Sequence, residues 1–333
     1  MSDRLSRPVT KSPTSPQMST KTNVSFVRGV VAGMVSAAGY TAANICLRRV
    51  AIENDPVFVS FVKAIPLVLA TGTTLVWQMR HGLHPLLRRH WIIRLVLAGI
   101  FMQLTGNVAF QWSLGQIGLA LSVPLSMGML LIGSAVLARI WLAEPIRPSS
   151  ALAILLLVLS IAILSTVADQ SVAAIRHLDI GQISLWQLGF GLGAACLSGF
   201  SYSVCNVVIR RALSEGTSLI ATLLTVSLTG VVVLGTWTCW HTQPSHTILE
   251  VENLWVMILA GVFNAIAFYA LGKSLQYLTV IHANLLTASQ VMLCALCGIF
   301  LFGEPAGTLQ MAGIALTLVA LLLTPRPTKQ QSD

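Results

Sequence analysis

The two halves of this chain carry the same residues at the same spacing, so the sequence is a tandem duplication. Ser36, Tyr40, Asn44, Arg48 and Arg49 recur as Ser198, Tyr202, Asn206, Arg210 and Arg211, at a constant offset of 198 − 36 = 162. Leu97-Ala98-Gly99 recurs as Leu259-Ala260-Gly261 at the same offset, and Glu144-Pro145 recurs as Glu304-Pro305 at an offset of 304 − 144 = 160. Whatever this chain folds into must therefore contain two copies of one structural unit.

Each copy is too apolar to fold in water. Of the 333 residues, 55% are hydrophobic and only 9% are charged, whereas soluble domains carry about 25% charged residues. Because so few charges cannot build a water-facing surface, we expect lipid to cover most of the molecule. The segments between the apolar runs are too short to form a soluble domain with a core of its own.

The apolar runs predict transmembrane helices. Most reach the roughly 17–25 residues that a helix needs to cross the hydrocarbon core of a bilayer. We predict an all-α integral membrane protein with ten transmembrane helices, over 26–47, 57–78, 91–112, 118–141, 149–167, 187–209, 217–239, 254–275, 280–302 and 308–324.

Five helices per copy is an odd number, so the second copy enters the membrane from the opposite face. The halves are then two inverted five-helix repeats, related by a pseudo-two-fold axis in the membrane plane. The predicted divisions are a disordered cytoplasmic tail over 1–25, a first repeat over 26–167, an external connector over 168–186, a second repeat over 187–324 and a cytoplasmic tail over 325–333. Met18 is an alternative start to Met1.

The net charge is +9, and the distribution of Lys and Arg along the chain indicates its orientation in the membrane. With the N-terminus inside, 16 Lys and Arg residues fall on the inner side and 4 on the outer side. The positive-inside rule then predicts that both termini are cytoplasmic, in a multi-pass protein of the cell (inner) membrane. This distribution argues against a nucleic-acid partner.

Polar residues inside the predicted helices are the candidate site. Tyr40 and Asn44, like Tyr202 and Asn206, lie four residues apart and share one helix face, which polarity keeps away from lipid. These faces either line a substrate cavity or form interhelical hydrogen bonds that hold the bundle together. The predicted cavity residues are Tyr40, Tyr202, Gln103, Asn107, Ser126, Asn264, Gln290, Lys63, Asn44 and Asn206.

Lys63 is the charged candidate, about two turns into the second predicted helix. It either binds an anionic group of a substrate or extends towards the outer headgroups. Glu144-Pro145 and Glu304-Pro305 close the fourth and ninth helices. They are interpreted as helix–helix turns with an acidic cap, since proline ends a helix and the acid can lie near the positive end of the next one.

No catalytic set of Ser-His-Asp, Cys-His or paired carboxylates is recognisable in the sequence. Cys294 and Cys297 have the spacing of a metal pair, but without a nearby His or carboxylate we interpret them as small packing residues. We therefore predict no cofactor, no metal and no enzymatic activity.

The chain resembles the drug/metabolite transporter superfamily, in its ten-helix, EamA-like branch. The resemblance covers about residues 26–324 and rests on the five-plus-five repeat, the two Glu-Pro helix ends, Lys63 early in the second helix, and Ala270-Leu271 before a short turn. It implies cytoplasmic termini, alternating access, and a central cavity lined by the first, third, fourth, sixth, eighth and ninth helices. It also implies small-metabolite substrates, such as amino acids, organic acids, nucleotide sugars or drugs.

These observations predict a secondary transporter that moves a small metabolite, with export favoured by the resemblance alone. The expected partners are a small-molecule substrate and the lipid bilayer, and a homodimer is left open. The alternatives are a membrane-embedded, lipid-modifying enzyme and a membrane scaffold or sensor that transports nothing.

Overall fold

The structure, a computed structural model, describes residues 16–51, 54–83, 87–144, 148–176, 185–241, 251–302 and 307–323. Throughout these ranges the regular structure is helical, and no strand occurs in them. The helices are α1 (Pro16–Val50), α2 (Pro56–Arg80), α3 (Arg89–Phe101), a π-helical segment (Met102–Val108), α4 (Ala109–Trp141), α5 (Pro148–Arg176), α6 (Leu185–Ser214), α7 (Leu219–His241), α8 (Val251–Tyr277), α9 (Val280–Ala288), α10 (Gln290–Phe302) and α11 (Thr308–Leu322).

Seven stretches within the described helices are long and apolar enough to cross a membrane. They are Val24–Val50, Pro56–Arg80, Arg89–Leu119, Ser122–Trp141, Gly189–Ser214, Leu219–Trp240 and Asn253–Tyr277. Three shorter apolar helices are Pro148–Ile163, Val280–Cys294 and Met311–Ala320. The prediction of an all-α membrane protein is confirmed, whereas the exact count of ten spanning helices stays a prediction.

Some predicted boundaries are wrong. Helix α1 begins at Pro16, so the disordered tail predicted over 1–25 cannot include residues 16–25. Proline is tolerated in a first helical turn, and extending a formed helix costs little. Helix α5 likewise continues to Arg176 and α6 begins at Leu185, so parts of the connector predicted over 168–186 are helical, and its external position stays a prediction. Residues 177–184 and both chain ends lie outside the described residues.

The third and fourth predicted helices are two separate stretches on either side of a kink at Gly118, and Ser113 and Ser122, one on each side, hydrogen-bond at 2.7 Å. The third continues through the π-helical segment into α4, and the chain breaks helical geometry only at Gly118, where φ is 77°. Glycine accepts this left-handed conformation without the steric cost that a Cβ would bring. The ninth predicted helix is instead divided at Ser289, between α9 and α10. The hydrophobicity pattern predicted the separation of the third and fourth helices, but it did not predict the π-helical segment or the break at Ser289.

Local caps fix where α2 and α9 begin. The Asp55 carboxylate accepts hydrogen bonds from the N–H groups of Val57 and Phe58, at 2.8 and 2.9 Å. Thr279 caps α9 in the same way through the N–H of His282. Each cap satisfies amide groups that a helix leaves without an intrahelical partner.

Helices at equivalent places in the two halves pack antiparallel. In α2 and α7, Phe61 lies against Gly235 and Gly72 lies against Leu224, so residue numbers increase along α2 in the direction in which they decrease along α7. Helices α1 and α8 are also antiparallel, since Gly29 packs on Leu278 and Gly39 on Ala267. Gly191 of α6, the equivalent of Gly29, packs on Ile117. Leu278 and Ile117 are 278 − 117 = 161 residues apart, between the two offsets of the duplication, so we treat them as equivalent.

Burial divides the helices into an inner and an outer surface. Fully buried side chains such as Leu47, Leu131, Leu223 and Leu285 form the core between helices. Large apolar side chains are exposed around the outside, among them Trp240 at 84%. Such exposure is unfavourable in water and ordinary for a surface that faces lipid.

Candidate functional site

A cavity of about 80 Å³ lies among the helices, between the two halves of the sequence. Helices α1, α2, α4, α6, α8, α9 and α10 and the π-helical segment all contribute to its wall. The lining residues are Tyr40, Asn44, Leu47, Lys63, Met102, Asn107, Phe110, Met127, Leu130, Tyr202, Asn206, Asn264, Phe268, Leu271, Thr287 and Gln290.

The π-helical segment presents a pair of amide side chains at this wall. Asn107 donates from Nδ2 to Oε1 of Gln103 at 2.6 Å, and Gln103 packs against Gly230 of α7. π-Helical turns inside α-helices occur frequently at functional sites. The contact with Gln103 fixes the orientation of the Asn107 amide, so that its oxygen is available on the other side.

That oxygen joins two further side chains. Lys63 donates from Nζ to Oδ1 of Asn107 at 3.0 Å, and the Tyr202 hydroxyl donates to the same atom at 3.1 Å. Lys63 is only 3% exposed. Its ammonium group therefore lies inside the bundle, where Asn107 accepts its hydrogen bond. The alternative interpretation, in which Lys63 extends to the headgroups, is wrong.

Lys63 has no carboxylate partner among the residues that the structure describes. The ion pairs found there involve Glu144 and Glu215, both at the end of the bundle where α4 and α6 finish. A buried cation whose neighbours are neutral is costly in a low-dielectric surrounding. Lys63 is thus a cation in the cavity wall without a described carboxylate to balance it.

A second group of amides also lines the cavity. Asn44 donates to Oε1 of Gln290 at 3.1 Å, and Gln290 donates to the sulfur of Met127 at 2.7 Å. Gln290 is the first residue of α10, directly after the break at Ser289. The interruption of the ninth predicted helix therefore coincides with a polar side chain at the cavity wall.

Asn206 belongs to a chain of hydrogen bonds that leads away from the cavity. It donates to Oδ1 of Asn284 at 2.9 Å, and Asn284 donates to Oγ of Ser134 at 2.6 Å. This chain connects α6, α9 and α4. Its members have their hydrogen-bonding capacity partly filled by one another, as buried polar groups require.

The structure brings together eight of the ten predicted site residues. Gln103 and Ser126 are absent from the lining. Gln103 stands behind Asn107 as its acceptor, and Ser126 hydrogen-bonds Ser198 at 2.9 Å between α4 and α6. Their placement in the wall was wrong because helix periodicity alone does not resolve which side of a neighbouring helix a polar group meets.

Sequence reasoning missed the apolar part of the wall. Met102, Phe110, Leu130 and Phe268 line the cavity, and nothing distinguishes them in sequence from other apolar residues of the same helices. Thr287 was also missed; its polar side chain within a predicted helix was the available signal. Phe110 meets Tyr202 edge-on, with ring centroids 6.4 Å apart.

The end of the bundle where α4 finishes is held by Glu144. Its Oε2 accepts a hydrogen bond from the N–H of Val280 at 3.2 Å, and its Oε1 lies 3.6 Å from Nε of Arg210. The acid therefore caps α9 and not the next helix in sequence, which corrects the predicted turn. Burial raises the pKa of the Glu144 carboxyl above its ordinary value, although Arg210 and Val280 favour the ionised form. Pro145 and Glu304-Pro305 lie outside the described residues.

A second contact joins the same end of the bundle. The indole N–H of Trp91 donates to Glu215 at 2.9 Å, and Arg211 pairs with Glu215 at 3.6 Å. The Trp91 hydrogen bond, followed by Arg211, lowers the pKa of the Glu215 carboxyl. These contacts tie the start of α3 to the end of α6.

A larger groove of about 910 Å³ opens on the outer surface between α1, α2 and α8. Its wall is mainly apolar, with Arg28 and Lys273 among its few charged residues. Among the residues that the structure describes, no three His, Cys, Asp or Glu side chains lie close enough together to hold a metal ion.

Fold and surface define a multi-pass, all-α membrane protein with an internal polar cavity. Residues 189–325 match the model of the EamA-like transporter family. The second half of the chain is thus similar to this family of transporters, in agreement with the predicted resemblance to the drug/metabolite transporter superfamily. The family is a transporter family and not one of enzymes.

The fold is also similar to known structures. One crystal structure, described only as a crystal structure of a protein, aligns with a TM-score of 0.65 at 15% sequence identity. The alignment covers 89% of this chain and 95% of that chain, which extends the likeness in fold beyond the half that the family model matches. A search of curated proteins gave no match.

Proposed function

We propose that this protein is a secondary transporter that moves a small metabolite by alternating access, with the polar cavity as its binding site. The main support for the proposal is a cavity whose wall comes from both halves of a duplicated chain. Substrate sites of transporters built from repeats lie at the repeat interface near the bilayer midplane. The chemical class of solute remains that of the family: an amino acid, organic acid, nucleotide sugar or drug-like molecule.

We further propose that the halves are two inverted five-helix repeats. Equivalent contacts support this arrangement. Arg48 donates to the carbonyl oxygen of Leu114 at 3.2 Å, and Arg210 donates to that of Leu275 at 2.9 Å. The antiparallel packing of α2 and α7 is what inversion about an axis in the membrane plane would produce.

The size of the cavity supports a closed state. A volume of about 80 Å³ is far below the roughly 300–1,000 Å³ of sites that hold drug-sized ligands. Binding therefore requires the repeats to rock apart at one end. The contacts of Glu144 with α6 and α9 would have to separate when that end opens.

The charge distribution supports cytoplasmic termini and a place in the cell (inner) membrane. In this orientation the Glu144 end of the bundle is cytoplasmic. Export is proposed over import on the family resemblance alone. The proposed partners are the solute and the surrounding lipid.

Solute counterflow in proteoliposomes tests the proposal. The purified protein is reconstituted into proteoliposomes, which are loaded with each member of a metabolite panel. The exchange of the internal solute for the same labelled solute outside is then measured. Asn107→Ala and Gln290→Ala, in the cavity wall, should abolish exchange. Thr73→Ala, on an exposed helix face where the hydroxyl bonds only its own helix, is the matched control and should exchange normally.

Two results would contradict the proposal. Either no solute of the panel exchanges although the protein is folded, or the cavity variants exchange as well as the wild type. Recovery of a chemically altered solute would favour the enzymatic alternative.

A further inference from the structure

The cavity contains one buried positive charge and no described side chain to balance it. Lys63 is 3% exposed and lines the cavity, and its described side-chain contact is with the neutral oxygen of Asn107. A protonated lysine carries three N–H donors. One is directed to Asn107, so donor capacity remains at the cavity.

The neighbours of Lys63 are themselves held in place. Asn107 Oδ1 accepts from both Lys63 and Tyr202, and its Nδ2 donates to Gln103. This arrangement fixes the position of the Lys63 ammonium without neutralising it. A protein that only needed a well-packed helix here would be more stable with an apolar residue of similar length.

From this geometry we propose that the cavity selects small organic monocarboxylates, with the carboxylate seated against Lys63 and its body against the amides and apolar side chains opposite. The inference rests on the proposed transport function and narrows its substrate class. A single carboxylate supplies the missing negative charge and forms a charge-assisted hydrogen bond, which is shorter and stronger than a neutral one.

The rest of the wall suits the remainder of such a solute. Asn44, Asn206, Asn264 and Gln290 present amides, while Phe110 and Phe268 present apolar surface. Among the described lining residues Lys63 is the one cation. A dianion such as a phosphate monoester would therefore keep one charge uncompensated, and a neutral solute would leave Lys63 unbalanced.

The test compares carboxylic acids with neutral molecules of the same shape. Proteoliposomes are assayed at pH 7.5 for uptake and counterflow of lactate, pyruvate and butyrate, and of the primary amide of each. Protein-free liposomes measure passive leak. The wild type should exchange at least one acid and prefer it over its amide by at least about tenfold, the ratio that one lost charge-assisted contact produces.

Two substitutions at Lys63 separate charge from shape. Lys63→Met keeps the length of the side chain and removes the charge, so the preference for acid over amide should fall to within about twofold. Lys63→Arg retains the charge and should keep part of that preference. Lys273→Met is the matched control, since it removes a lysine from the outer groove and should leave the preference unchanged.

Thermal unfolding in detergent shows whether each variant is folded. Because Lys63→Met removes an unbalanced buried charge, it should unfold at the same or a higher temperature than the wild type. Exchange of other solutes without a preference for acids, or an acid preference that survives Lys63→Met, would overturn this inference alone. Absence of exchange for every solute in the wider metabolite panel would instead overturn the proposed transport function.

Discussion

The two halves of the molecule agree in their packing and differ in their cavity chemistry. Arg48 and Arg210, at equivalent positions, make the same hydrogen bond to equivalent backbone oxygens. Gly29 and Gly191 likewise pack on equivalent residues, Leu278 and Ile117. After duplication, close helix contacts are difficult to change because interiors are densely packed.

The polar cluster at Lys63 has no counterpart in the other half. The carbonyl oxygen of Lys63 packs on Gly261, and that of Val226 makes the matching contact with the equivalent Gly99. Neither Val226 nor Thr225, which the offset of 162 pairs with Lys63, carries a charge. At the position equivalent to Asn107 the chain has Tyr269, which lines the outer groove. These helix contacts are thus shared by the two halves, whereas the site that we propose is one-sided.

The largest difference in stability between substitutions at equivalent positions is expected for Gly199 and Ala37, which are 199 − 37 = 162 residues apart. A Cβ at Gly199 would lie 2.0 Å from the carbonyl oxygen of Ser126. Gly199→Ala should therefore force backbone movement and destabilise the protein by about 3 kcal/mol, whereas Ala37→Gly should cost only about 1 kcal/mol. Thermal unfolding and size-exclusion profiles in detergent measure this, and equal melting temperatures for both variants would contradict the packing.

The next largest effect on stability is expected at the ion pair between Arg210 and Glu144. Arg210 lies 3.6 Å from Glu144, so Glu144→Gln leaves a partly buried arginine without its partner. We expect a loss of about 1–3 kcal/mol, reduced from that of a fully buried pair by the partial exposure of Arg210. Unfolding temperature provides the measurement. Glu215→Gln, at an exposed ion pair of the same helix end, is the control and should change stability little.

A smaller effect is expected at the two tyrosines. Tyr202→Phe removes one of two donors to Asn107 and should weaken solute exchange about three- to tenfold, which corresponds to one ordinary hydrogen bond. Tyr40→Phe, at the equivalent position, leaves the Asn107 contacts intact and should stay within about twofold of the wild type. The half-saturating solute concentration in counterflow distinguishes them, and equal effects would imply that the site is symmetric.

The smallest effect is expected where two equivalent serines meet the facing helix. Ser198 lies 2.9 Å from the Ser126 hydroxyl, and Ser36 lies 3.5 Å from that of Thr287. Ser198→Ala should cost about 0.6 kcal/mol, the average for such contacts between membrane helices, and Ser36→Ala less. Denaturation in matched detergent conditions resolves the difference, and a larger loss at Ser36 would reverse the ranking of these contacts.

Much of the fold was predictable because lipid imposes a simple rule. Helices must satisfy their own backbone groups, so apolar runs of sufficient length reveal them. The π-helical segment and the break at Ser289 were not predictable, since both depend on packing between helices and neither contains proline. The early start of α1 was missed because residues 16–25 are polar, and composition was taken to mean disorder.

The candidate site was predictable where polarity was the signal. Tyr40, Asn107 and Gln290 stood out as polar residues in apolar helices, and all three line the cavity. The apolar lining gave no such signal. For Lys63 the sequence allowed two interpretations, binding of a substrate anion or extension to the headgroups. The direction of its side chain depends on where an acceptor lies, and only the structure shows that Asn107 is that acceptor.

Accessibility of the cavity from each side of the membrane tests the central claim most directly. In a cysteine-free background, Leu130→Cys in the cavity wall is labelled with a membrane-impermeant thiol reagent in right-side-out and inside-out vesicles. Leu285→Cys, fully buried in α9, is the control. We predict labelling of residue 130 from both sides, with protection by the transported solute, and none at residue 285. Residue 130 inaccessible from both sides, or labelled from one side alone under all conditions, would contradict a cavity that two inverted repeats open alternately.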